Sequence, residues 1–291
     1  MYAGGSDTIG RVLDVEKIAA AAAAAADEVT ECTTTEFDIT ATADLYSALA
    51  GVLAGFAFTA LMMLLSRHAG DDPRDHHLVA VVKVLLATVI ALSLSALTYG
   101  GLGGEPISGG RAAAEQMIAG VGFTVGGLLF LYSIALTIDA VTPAPFDDDV
   151  GLGVASRYVR RVLVHGIVPL FVLFLGLSAD DFLTVRDGAE REASFPDYLL
   201  YIFAVATIVL GFGLSAVVRR RPVQRAPTIA ATASVVIVIG TAAAYGIYTA
   251  QAGRCDVAPD AVMYAAMVAN FVTMAGAIPL IASRPQRRAL G

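Results

Sequence analysis

The sequence predicts an all-α fold: a polytopic membrane helix bundle of seven transmembrane helices, preceded by a short extracytoplasmic alanine-rich helix. Three observations carry this. Seven stretches of the 291-residue chain are nearly free of charge, and each has the roughly 20 apolar residues that cross bilayer hydrocarbon. Of all residues, 57% are hydrophobic and 15% charged, against roughly 25% charged in soluble domains, and the mean hydropathy is +0.71. The basic residues of the linkers are rich on one side and sparse on the other. In lipid, backbone amides need internal partners, so apolar segments of this length form helices. The period-two alternation of a membrane barrel does not occur.

An arm over residues 1–43 comes first. Ala19 to Ala26 form an unbroken alanine run behind Asp14, Glu16 and Lys17. Alanine is the strongest helix former, and the run is too short to cross a bilayer, so a short external helix is expected. Thr33, Thr34 and Thr35 read as an extended linker. The transmembrane domain, residues 44–283, follows, and a basic tail, 284–291, closes the chain. The spans run at about 45–66, 78–99, 115–138, 158–178, 198–218, 228–249 and 261–282.

Asp44, Pro196-Asp197 and Pro259-Asp260 stand where three helices should begin. An aspartate there accepts hydrogen bonds from free amides and favours the positive dipole end. Ser156 and Thr228 are expected to cap two others. The glycine-dense linker from Tyr99 to Arg111 reads as a flexible turn. Tyr99, Tyr198, Tyr201, Tyr245, Tyr248 and Tyr264 gather toward one boundary, as an interfacial aromatic belt does.

Positive charge is retained on the cytoplasmic side of short loops. With the amino terminus outside, the inner linkers and tail carry twelve basic residues: Arg67, Arg74, Arg157, Arg160, Arg161, Arg219, Arg220, Arg221, Arg225, Arg284, Arg287 and Arg288. The outer segments carry six, and Lys83 lies within a span. The expected placement is the cell membrane, amino terminus outside and carboxyl terminus cytoplasmic. Net charge is −7 and only two of the nineteen basic residues are lysine. Acid surplus with arginine and alanine matches a prokaryotic, salt-adapted chain whose carboxylates keep its surface hydrated; codon bias alone gives the same pattern. No basic stripe with interleaved aromatics supports a nucleic-acid partner.

Cys32 and Cys255 are the only cysteines, and this topology places both outside. They either form a disulfide, as an oxidising compartment permits, or stand as two thiols. Ser47, Gly51, Gly55 and Thr59 recur every fourth residue along the first span, and Gly122 and Gly126 do so in the third. Such small-residue stripes let helix backbones approach closely, within one chain or between copies, and the oligomeric state stays open. Ionisable groups at depth are costly and mark function. Lys83, Asp139 and His165 converge toward the inner leaflet in this reading, with Asn270 mid-span. They form either a proton-sensitive polar cluster or a set of independent snorkelling groups, the simpler account.

Chemical motifs are missing. The chain has no HExxH, CxxC or GxSxG sequence, so neither a metal centre nor a hydrolase nucleophile elbow is indicated, and no cofactor is expected. Retinal chemistry needs a lysine in the last span; residues 261–282 contain none, and the chain lacks tryptophan. The expectation is a non-enzymatic scaffold or accessory subunit, with the bilayer and other membrane proteins as partners. The alternatives are a small-solute or proton-coupled transporter or channel, and a membrane sensor.

Overall fold

The structure is a computed structural model and describes residues 39–67, 75–105, 110–141, 152–187, 195–218, 226–253 and 256–282. All lie in one compact unit, Thr34–Gly291. The alanine run, Cys32, Cys255 and the basic tail fall outside the described residues. Among those described there is no strand; the order is α1 (Thr40–Arg67), α2 (Asp75–Leu102), α3 (Gly110–Val141), α4 (Leu152–Val162), a π-turn (Leu163–Ile167), α5 (Val168–Asp187), α6 (Phe195–Val218), α7 (Ala226–Gln251) and α8 (Asp260–Ala282). Because the π-turn joins α4 to α5 without a break, these segments make seven rods.

Six rods are long and apolar enough to cross a membrane: Thr40–Ser66, Leu78–Leu102, Arg111–Ala140, Val154–Asp187, Ala226–Gln251 and Asp260–Ile281. The other, α6, has 24 residues and coincides with the fifth predicted span. Large apolar side chains face outward along the rods, among them Phe56, Leu97, Val209 and Val236. In water such a surface would aggregate; against lipid it is what solvation requires.

The rods outrun the predicted spans. With 32 residues, α3 is about 48 Å long at 1.5 Å per residue, against ~30 Å of hydrocarbon. The extra turns hold Arg111 and Asp139, which hydropathy alone trims away. The expected caps shift accordingly. Asp44 lies inside α1 and Ser156 is buried inside α4, so neither is a cap. Asp260 does open α8. Pro196 and Pro227 are the second residues of their helices, where a missing N–H costs no hydrogen bond. The glycine-rich linker starts later than expected, because Tyr99, Gly100 and Gly101 extend α2.

The bundle is built around α3, 72% of whose span is buried against 17–44% for the other five. It touches α1, α2, α4, α5, α7 and α8. Small residues make this central place available: Ala112, Ala113, Ala114 and Ala119 are buried on α3. At Gly126 an added Cβ would sit 2.9 Å from Leu92 Cδ2, so α2 is in direct contact there. Outside this centre, α1 packs mainly on α2 and α6 mainly on α8. The α1 seam is alanine, with Ala43, Ala50, Ala54, Ala57 and Leu61 buried at the spacing that keeps one helix face on a neighbour.

In the π-turn the Val168 amide bonds the Leu163 carbonyl, one residue wider than an α-turn. Pro169 explains it. Its ring crowds the carbonyl of His165 four residues back and offers that oxygen no N–H; a wider turn relieves the conflict.

Candidate functional site

At each end of α3 an arginine, buried Arg111 at one and half-buried Arg160 at the other, ties helix ends together. At the amino end, Arg111 meets the Glu105 carboxylate through two nitrogens, Nη2 to Oε1 at 2.5 Å and Nε to Oε2 at 3.2 Å. Its Nη1 donates to the carbonyls of Thr249 at 3.2 Å and Ala252 at 2.9 Å. Those oxygens end α7, where the last carbonyls lack helical partners and carry the negative dipole end, so a guanidinium there is doubly favourable. One turn along α3, Glu115 is fully buried and places Oε1 3.3 Å from Arg111 Nε. The Thr249 hydroxyl donates to the same Oε1 at 2.8 Å, and the Tyr245 hydroxyl lies 3.5 Å from Oε2. One cation therefore sits between two carboxylates, and α2, α3 and α7 are joined at one point.

At the carboxyl end the bridging arginine comes from α4. Arg160 Nη2 pairs with Asp139 Oδ2 of α3 at 2.6 Å, and Nη1 donates to the Ile281 carbonyl at the end of α8 at 2.7 Å. Its guanidinium stands 5.7 Å from the centre of the Tyr132 ring, a cation–π distance. A third, more exposed arginine, Arg186, pairs with Asp187 at 2.5 Å and with Asp260, linking α5 to α8.

The residues singled out from sequence are distributed differently. Asp139 is paired with Arg160, while Lys83 is exposed on α2. His165 is exposed in the π-turn and stacks on Phe212 of α6, rings 4.7 Å apart and 9° from parallel. Asn270 is buried near the midpoint of α8. Of the first stripe, Ser47 donates to the Ala96 carbonyl of α2 at 2.9 Å, and Thr59 bonds Gly55 O within its own helix. Gly51 and Gly55 are exposed, with nothing within 4 Å of an added Cβ. Gly122 and Gly126 both face inward, the former toward Ser95 and Thr241. The tyrosine belt is corrected at Tyr99, which is buried 5.2 Å from Tyr46 and 6.0 Å from Phe123. Tyr198 and Tyr201 are exposed.

Sequence reasoning missed the two arginine clamps. One signal was available: Arg111 and Glu115 are four residues apart, the helical spacing of a side-chain pair. The Arg160–Asp139 pair joins different helices and leaves no such mark. Among the described residues, no three His, Cys, Asp or Glu side chains come together as metal ligands would.

No protein-family model, curated protein or solved structure matches this chain. Fold and site together define its class, a helical membrane protein of several passes whose buried charges, among the described residues, lie near a helix end.

Proposed function

We propose that the chain is a seven-span protein of the cell membrane, amino terminus outside and carboxyl tail inside, that acts as a non-enzymatic scaffold or accessory subunit of a membrane complex. The observation that supports this best is the outward face of α1. There Gly51 and Gly55 are open to their surroundings, and exposed Val52, Phe56 and Phe58 flank them. The helix spends its alanines on its own bundle and leaves its glycines uncovered. A glycine pair at this spacing lets a second helix approach closely, so the partner is a transmembrane helix of another protein. The two clamp arginines, Arg111 and Arg160, favour the same reading, since each is engaged in holding helix ends.

The test is assembly in native membranes. Wild-type protein extracted in a mild detergent should migrate as a complex larger than one 30.1 kDa chain. Gly55→Leu should release it to a single chain without lowering its melting temperature. A wild-type protein that migrates alone, and that a crosslinker at position 52 joins to nothing, would end this reading. Orientation is read separately: an impermeant label on intact cells should reach a tag on the amino terminus and miss one on the carboxyl terminus.

A further inference from the structure

Asn270 is the only asparagine in the chain, and it lies where a polar amide is least welcome. It is 3% exposed, and its Oδ1 has no hydrogen-bond partner. An unpartnered amide oxygen away from water is costly, so the site beside it needs an occupant. A crevice of about 20 Å³ adjoins it, lined by Val172, Leu175 and Gly176 of α5, Phe203, Ala204 and Thr207 of α6, and Met267, Asn270 and Phe271 of α8. Gly176 stands at its rim, with nothing within 4 Å of an added Cβ. Thr207 and Asn270 fall near the midpoints of α6 and α8.

We propose that this crevice is a binding site for a single water molecule held at mid-membrane depth between α5, α6 and α8. Volume and donor set both select that ligand. A water needs roughly 10–15 Å³ and two to four polar partners. The crevice offers the Asn270 carbonyl oxygen and the Thr207 oxygen; the Thr207 hydroxyl proton is already given to the Phe203 carbonyl at 2.7 Å, which leaves that oxygen free to accept. A water donating one hydrogen to each satisfies the amide. A metal cation is ruled out by the same inventory, because Ca²⁺ takes six to eight oxygen ligands and no carboxylate lines the crevice. An apolar guest would leave the amide oxygen as it stands. The inference concerns the interior of the bundle and is independent of any partner on α1.

A sole asparagine makes the test direct. Protein labelled with ¹⁵N on the asparagine side chain and placed in lipid nanodiscs should give one side-chain amide resonance. Magnetisation should pass from water to that amide in the wild type, as it does for groups touching a bound water. Ala204→Leu, which enlarges a side chain of the lining, should abolish the transfer while the helical circular dichroism spectrum is retained; Thr207→Val, which removes the second oxygen, serves if the larger side chain disturbs folding, and should reduce it. An amide that receives nothing from water in the wild type would overturn the proposal. So would equal transfer in wild type and in a folded crevice-filling variant, because the water would then reach the amide by another route.

Discussion

Replacing Arg111 by methionine removes the charge at the amino end of α3 and keeps much of the side-chain volume. The structure sets the scale. Arg111 makes a two-nitrogen pair with Glu105, a 3.3 Å contact with Glu115 and two bonds to α7 carbonyls. Bonds to charged groups contribute about 1.5–3 kcal/mol each but do not add when they share a donor. The dominant loss is the carboxylate left behind: Glu115 is fully buried, and stranding one member of a buried ion pair costs about 3–5 kcal/mol. Arg111→Met should therefore lose about 3–5 kcal/mol. Glu115→Gln keeps an acceptor for Thr249 and leaves the Glu105 pair intact, so about 1–2 kcal/mol should go, the scale of one weakened charged hydrogen bond. The double variant should lose less than the sum by at least about 1 kcal/mol, since the glutamine no longer strands a charge. Reversible unfolding in bicelles, followed by circular dichroism, measures all three. A loss below about 1 kcal/mol for Arg111→Met, or strict additivity in the cycle, would refute the clamp as a source of stability.

The other expectations concern packing and the second clamp. Gly126→Ala should destabilise by about 1–3 kcal/mol through overpacking, because its new methyl meets Leu92 at 2.9 Å. Gly51→Ala, with open space beyond it, should stabilise the isolated chain by up to about 1 kcal/mol through helix propensity; thermal melts of the two variants side by side check the contrast. Asp139→Asn should cost about 1.5–3 kcal/mol by weakening the charged bond to Arg160, while Lys83→Gln, at an exposed position, should stay within about 0.5 kcal/mol; the same unfolding assay separates them. His165→Leu should lose no more than about 1.5 kcal/mol, the scale of a ring-stacking contact, and an intact helical spectrum would show that Pro169 and not the imidazole shapes the π-turn.

Much of the architecture was legible in the chain because hydrophobic solvation is local. Each predicted span lies within a rod, and even the Arg111–Glu115 pair could have been read from its four-residue spacing. The candidate site was less legible. The first-span stripe is a row of small residues at helical spacing, yet adjacent positions point about 100° apart on a helix. The bundle took the alanine face of Ala50, Ala54 and Ala57 and left Gly51 and Gly55 outside. Tyr99 looked like a belt residue by position along the chain and became core because Tyr46 and Phe123 close around it.

What the sequence determined by itself, then, is a set of apolar helices and their lengths, since transfer to lipid sums over neighbouring residues and needs no knowledge of the rest. Only the tertiary structure decided which face of each helix is inside and which charges meet. Arg160 finds Asp139 across 21 positions and Ile281 across 121, and Arg111 finds Thr249 across 138. Such pairings follow from the rotation and order of all the rods at once, quantities that no segment of the chain encodes alone.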